Sequence, residues 1–278
     1  MATPPVWAAA STPRPEPRPL RFAPLPGENH ELAMGEYSPM LQELARILHR
    51  RVEFVFTGAF DELFDRFRAG EVDLAALGPL PYITLRERYA AAAPLALFRD
   101  AAGKTADACA IIAFGAAPLP LDGLHSHRFA LTQTYYTCGY MAAQNLLRAH
   151  GSGLEHNRFH YFISQESVVL AVVRGEFDGG CVRTTTARQF SHLGIRIIDE
   201  TPPLPGLALV ANTETLPEKD RQIIRDFLTD SDLRRTNKAG FAAWGETVRY
   251  GAVAVSDADY DATRRYRGAM AIPAKGTD

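Results

Sequence analysis

The chain has 278 residues, 46% of them hydrophobic, and a formal net charge of −2. That is ample for two domains, or one large one, with a sizeable core. The near balance of charge removes the long-range pull toward nucleic acid that a basic protein exerts. No apolar run reaches the ~20 residues of a membrane helix. Three cysteines are too few for a disulfide framework, and an odd number leaves at least one free thiol or an intermolecular bond. No cysteine or histidine spacing is of the metal-site kind, and no cofactor is implied. His125 and His127 read as surface residues.

Residues 1–19 combine Ala8, Ala9 and Ala10 with a proline tract over 13–19. The tract reads as an extended, disordered linker. The alanines read as the end of a secretory signal or as part of a cytoplasmic tail. No complete charged and apolar signal accompanies them.

Residues 20–26 read as a first buried strand and 27–35 as a polar loop. Ser38 as a cap and Pro39 in a first turn would then start a helix. Its apolar stripe is Met40, Leu41, Leu44, Ile47 and Leu48. A strand follows at 52–56, then a helix at 60–69 with Phe60, Leu63, Phe64 and Phe67 on one face. A strand at 72–77, a turn at 78–82, a helix through Tyr89 and a strand at 94–98 complete this part. Strands alternating with helices predict an α/β fold with a parallel sheet covered on both faces.

After a strand at 108–114 the pattern restarts. Strand 128–131, helix 138–150, strand 159–163, helix 167–174 and strand 179–183 form a loose internal repeat, which predicts two similar lobes. Gly70 and Gly175 end equivalent helices, each leading straight into a strand. Strands at 195–198 and 207–211 flank Pro202, Pro203 and Pro205, and helices follow at 217–228, 232–242 and 257–270. The proline connection and the stretch around 109–114 read as two crossings between lobes. Two crossings make a hinge, and a hinge between α/β lobes makes a closing cleft. The expected division is lobe one over 20–112 plus 207–278, and lobe two over 113–206.

Ligands of open α/β sheets sit outside the carboxyl ends of the strands. The run from Thr132 to Tyr140 lies at such an end, where Thr137 can cap the following helix. The free N–H groups around Cys138 and Gly139 and the positive end of the dipole suit a small oxyanion. Arg183, just after a second-lobe strand, is a donor fitted to bidentate oxyanion binding.

Five stretches together resemble the phosphonate/phosphite-type periplasmic solute-binding proteins. They are Tyr37-Ser38-Pro39-Met40-Leu41; Gly70-Glu71-Val72-Asp73 with Gly78-Pro79-Leu80-Pro81-Tyr82; Thr137-Cys138-Gly139-Tyr140; Ser164-Gln165-Glu166; and Gly175-Glu176-Phe177-Asp178. In order they span roughly residues 20–228. The resemblance implies a monomeric, two-lobed type 2 periplasmic binding fold. It implies a protein that delivers a small oxyanion to an ABC permease. It places Tyr37, Ser38 and Tyr82 at the site from lobe one, and Tyr136, Thr137, Cys138, Gly139, Gln165, Glu166 and Arg183 from lobe two. The sequence departs from the family where Tyr136-Thr137-Cys138-Gly139 replaces a Ser-Thr-Ser-Gly run, and where Gln165 replaces a histidine. A 2-aminoalkylphosphonate would need a carboxylate such as Glu166 for its amine, and Arg183 would compete with that cation.

The cysteines open a second reading. A helix start favours a thiolate at Cys138, and the resemblance puts Cys109 on a strand by the cleft. Some relatives bind arsenite through a cysteine and signal to a sensor histidine kinase, and a soft thiolate suits such a centre. Cys181 reads as a core residue. An enzyme is the third class; no G-x-S-x-G, Walker loop or paired metal motif supports it.

Overall fold

The computed structural model describes residues 17–115 and 119–277. The expected linker lies outside them up to residue 16. Its end is held: the Arg18 guanidinium pairs with the buried Asp73 carboxylate at 3.0 Å.

In chain order the first lobe opens with β1 (Leu20–Ala23), α1 (His30–Leu48), β2 (Val52–Phe54), α2 (Phe60–Arg68), β3 (Leu74–Leu77), α3 (Pro79–Arg88) and β4 (Ala92–Phe98). A short β5 (Ala106–Asp107) precedes the second lobe. That lobe has β6 (Cys109–Phe114), β7 (Arg128–Thr132), α4 (Tyr140–Ala149), β8 (Arg158–Phe162), α5 (Gln165–Val173), β9 (Gly179–Arg183), α6 (Thr184–Gln189) and β10 (Ile195–Glu200). The chain returns through β11 (Leu204–Pro205) to β12 (Ala208–Asn212) and α7 (Glu218–Thr229). It ends with α8 (Ser231–Thr236), α9 (Lys238–Ala242), β13 (Ala252–Ala254) and α10 (Asp261–Arg267).

The strands form one sheet per lobe, ordered β13-β4-β12-β3-β1-β2 and β10-β6-β9-β7-β8. Each has a parallel trio, β2-β1-β3 and β8-β7-β9. Each then takes an antiparallel strand that arrives across the hinge: β12 beside β3, and β6 beside β9. The internal repeat is therefore real, but the sheets are mixed rather than parallel. The inserted strand comes from the opposite side of the hinge and runs the other way. β5 and β11 pair antiparallel as the hinge ribbon. The boundary expected at Ile112 falls inside β6, which pairs with β9 from Cys109 onward, so the first crossing precedes Cys109.

Alternation along the strands fills both faces of each sheet. Leu20 and Phe22 pack with Leu41 and Leu44 of α1, whereas Ala23 packs with Phe64 and Phe67 of α2. In lobe two, Cys109 and Ile111 join Phe129 and Leu131 on one face, and Ala110 and Ile112 join Val168 and Val172 on the other. Gly180 lets α5 approach β9. A Cβ there would stand 2.8 Å from the Val168 Cγ1 and 3.1 Å from the Ala130 carbonyl.

α1 starts at His30, not at Ser38. Asn29 caps it by accepting from the N–H groups of Glu31 and Leu32 at 3.0 and 3.1 Å. Pro39 sits in the helix interior and leaves the Gly35 carbonyl without a helical donor.

The C-terminus adds a third link between lobes. Arg267 of α10 pairs with Glu87 of α3, while Asn145 of α4 donates to the Tyr266 carbonyl. Farther on, the Tyr161 hydroxyl donates to the Pro273 carbonyl at 2.9 Å. Phe159 and Thr277 exchange two hydrogen bonds of 3.0 Å along the outer edge of β8.

Candidate functional site

A cleft of about 580 Å³ lies between the lobes. Its floor is the hinge, from Arg99 to Asp107 and from Leu204 to Leu207. Phe60, Gly78, Pro79 and Pro81 line it from lobe one, and Tyr136, Thr137, Cys138, Gln165 and Arg183 from lobe two. These residues stand at or just after the ends of β2, β3, β7, β8 and β9, the strand ends where open α/β sheets present their ligands.

The turn between β7 and α4 is the most constrained part. Tyr135 is a non-glycine residue with φ +68°, a conformation that costs energy unless its surroundings impose it. Lobe one supplies those surroundings. The Tyr135 ring meets Phe60 and Phe64 edge-on at 6.1 and 5.6 Å, and its hydroxyl accepts from Arg88 at 2.9 Å. Tyr136 also meets Phe60, at 5.7 Å. Gly139 is the cap of α4, and a Cβ there would stand 2.9 Å from the Thr132 Oγ1 and 3.0 Å from its carbonyl. The Thr132 hydroxyl donates to the Cys138 carbonyl at 3.2 Å.

Thr137 does not cap α4. Its Oγ1 accepts from the Leu80 N–H at 3.2 Å, so it serves the first turn of α3 across the cleft. That turn has no side-chain cap of its own and needs an acceptor.

Cys138 and Cys109 are joined by a disulfide. The thiolate expected at either position is therefore not present, because each sulfur is bonded to the other. This corrects the thiol-ligand reading of Cys109 and Cys138, and the arsenite sensor that depended on it. Cys181 is free and buried, and burial pushes its thiol pKa up, which keeps it a protonated core residue.

Arg183 lines the cleft, and no ion pair holds its guanidinium among the described residues. Its backbone N–H donates to the Gln165 Oε1 at 2.8 Å, which fixes that amide beside it. Burial pushes the Tyr136 hydroxyl up to about 12, with the Arg183 charge opposing. Tyr37 is raised further by its complete burial. Both are neutral donors at ordinary pH.

Glu28, in the loop after β1, shares this field. Burial and then the Glu36 charge push its pKa up to about 7, and Arg183 pulls the other way. Sequence reasoning missed it, although it stands just past a strand end, where such residues are to be sought.

Other expected residues lie elsewhere. Tyr82 is turned from the cleft: its ring meets that of Tyr260 in a tilted contact, 4.3 Å between centroids, and its hydroxyl donates to Asp257. The first turn of α3 instead gives Pro79 and Pro81 to the cleft. Ser38 is inside α1 and does not line the cleft, since the helix starts two turns earlier. Tyr37 is a core residue whose hydroxyl feels Glu28 and Arg183. Gly139 lies beneath the turn. Glu166 is exposed in the first turn of α5 and reaches the site only through its field on Tyr136.

Two mixed sheets exchanging strands across a hinge, with a donor-lined cleft between them, define a two-lobed binding protein. Residues 22–260 match the family described as ABC transporter, phosphonate, periplasmic substrate-binding protein, and the chain belongs to that family. It is 25% identical over 276 residues to the phosphate-import protein PhnD of Mycolicibacterium smegmatis, covering 89% of this chain and 84% of the relative. The fold is that of the binding component of a phosphonate ABC transporter from Pseudomonas aeruginosa, with TM-score 0.71, 18% identity and coverage of 90% and 85%. PhnD1 of Prochlorococcus marinus in complex with methylphosphonate also matches, with TM-score 0.71, 15% identity and coverage of 89% and 96%. Such proteins are the substrate-binding parts of importers. No helix among the described residues is long and apolar enough to cross a membrane.

Proposed function

We propose that this chain captures a small tetrahedral oxyanion of the phosphate and phosphonate class in the periplasm and hands it, as a monomer, to an ABC permease. The observation that carries this reading is Arg183, a guanidinium on the cleft wall with no ion pair among the described residues. The Tyr136 and Thr137 hydroxyls, the N–H at Cys138 and the Gln165 amide complete the donor set. The hinge ribbon lets the lobes part to admit the anion and close again, and the anion is then surrounded by donors in place of water.

A simple oxyanion is favoured over an aminoalkylphosphonate. The carboxylates on the cleft wall are engaged: Asp107 accepts from Thr185 at 2.6 Å, Asp100 from two backbone N–H groups, and Glu246 from Arg249. A ligand ammonium would compete with these donors, and Glu28 would offer it a carboxyl only against the repulsion of the Arg183 guanidinium. The phosphate and methylphosphonate in the names of the two relatives fit the same preference.

A thermal-shift screen against phosphate, phosphite, methylphosphonate, 2-aminoethylphosphonate, sulfate and arsenate tests it, because a ligand that binds only the native state raises the melting point. Stabilisation by a phosphorus oxyanion is expected. Stabilisation by sulfate alone, or by the aminophosphonate alone, would overturn the assignment.

A further inference from the structure

The first lobe has a second cavity, of about 490 Å³, outside the cleft. α8, α9 and the loop after them bring Arg234, Arg235, Lys238 and Arg249 to its wall, with Phe241 and Tyr250, and no carboxylate lines it. The compensation of these four cations is uneven. Arg235 pairs with Asp232 at 3.4 Å, and Arg249 pairs with Glu246. Lys238 is exposed and has no ion pair among the described residues.

Arg234 is the least satisfied. Its guanidinium lies over the Phe241 ring, 5.1 Å from the centroid, and its Nη2 donates to the Arg249 carbonyl. Its Nη1 is buried and meets no acceptor among the described residues. The side chain is packed against the Gly251 turn, where a Cβ would stand 3.0 Å from Nη1. Arg99, on the hinge side, adds a like charge, and burial together with that repulsion lowers the Arg234 pKa. A buried guanidinium nitrogen without an acceptor is costly. An anion with several oxygens would supply the acceptor and offset the repulsion together.

We propose that this pocket is a second anion site that takes a phosphate group, with Arg234 and Lys238 as its principal donors. The planar fork of arginine matches phosphate oxygens, and the cavity has room for a group larger than one tetrahedral anion. A soluble phosphate ester and an anionic lipid headgroup share this chemistry. Tyr250 lines both the pocket and the cleft, and its hydroxyl accepts from Arg249 at 2.9 Å. The two anion sites thus stand back to back across one ring.

Calorimetry with pyrophosphate on the full chain carrying Arg183→Ala separates this site from the cleft. One binding event should remain, and Lys238→Glu in that background should weaken it about tenfold or more, the value of one charge-assisted hydrogen bond. Lys238 is exposed, so that variant keeps its fold. Arg234→Met, checked by circular dichroism, should abolish the event. Flotation with phosphatidylglycerol vesicles, against phosphatidylcholine vesicles, forms the second arm. Binding to the anionic vesicles that Lys238→Glu removes, without a pyrophosphate event, assigns the phosphate to a lipid headgroup and supports the site. Binding to neither probe, or binding indifferent to both substitutions, overturns it.

Discussion

The hydroxyl of Thr137, on lobe two, accepts a hydrogen bond from the backbone N–H of Leu80, on lobe one, at 3.2 Å. One side chain thus satisfies a helix start in the other lobe, and its own proton stays available. In the proposed function that proton goes to the anion, so closure and ligand capture would share an atom.

Thr137→Ala should therefore weaken oxyanion binding about tenfold or more. The acceptor is ionised, and hydrogen bonds to charged groups are worth roughly 1.5–3 kcal/mol. Thr137→Ser should restore affinity. Small-angle scattering of the alanine variant without ligand should give a larger radius of gyration than the parent, since the latch is gone. Equal affinity and equal dimensions would remove Thr137 from both roles.

Arg183→Ala should cost more than a decade of affinity, because hydrogen bonds to a charged group are worth roughly 1.5–3 kcal/mol. Arg183→Lys should fall between, since an ammonium keeps the charge but not the fork. Titration calorimetry with the best ligand of the thermal screen measures both. An unchanged constant in the alanine variant would exclude the guanidinium from the site.

Glu28 makes stability and binding depend on pH. Its folded pKa of about 7 lies above the ordinary 4.5, so between those values the folded chain holds a proton that the unfolded chain has released. Stability from this group rises as pH falls from about 7 to about 4.5, by up to roughly 3 kcal/mol, and is lost as pH rises again. An anion bound nearby disfavours the carboxylate further. Binding should take up a proton and weaken as pH rises through 7. Calorimetry in two buffers of different ionisation enthalpy reads the uptake directly, and Glu28→Gln should flatten both profiles. A parent profile that is already flat would contradict the coupling.

The Cys109–Cys138 bond joins positions 29 residues apart and ties down the cleft-lining turn. Replacing both by serine should lower stability by about 3 kcal/mol on loop-entropy grounds. For a chain of this size that is a fall of roughly 5–10 °C in melting point. Affinity should fall as well, because the turn from Tyr136 to Gly139 is then held only by Thr132 and by lobe one. If melting drops while affinity stays, the bond serves the core alone.

Much of this was legible in the residues. Local hydrophobic period set out the alternating strands and helices, the repeat and the two crossings. Arg183 and Thr137 were expected at the cleft because they stand at strand ends, and both line it. What escaped was non-local. Asn29 caps α1, but Pro39 imitates a helix start. Tyr82 follows a strand like the others, yet the phase of α3 turns it toward Tyr260. Cys109 and Cys138 meet only when β6 has been laid beside β9. Glu28 acquires its character from burial and from Glu36, with Arg183 of the other lobe opposing, and none of these is visible before the chain folds.

The C-terminal link has a bearing on the order in which the molecule can be completed. Phe159 is made 118 residues before Thr277, its partner along the edge of β8. While the chain is being synthesised or exported, that edge has unpaired N–H and C=O groups, a template for pairing with another copy. Lobe two, though built from the middle of the chain, is sealed last. Shortening the C-terminus should therefore first reduce the yield of soluble protein, before any change in the ligand affinity of the molecules that do fold.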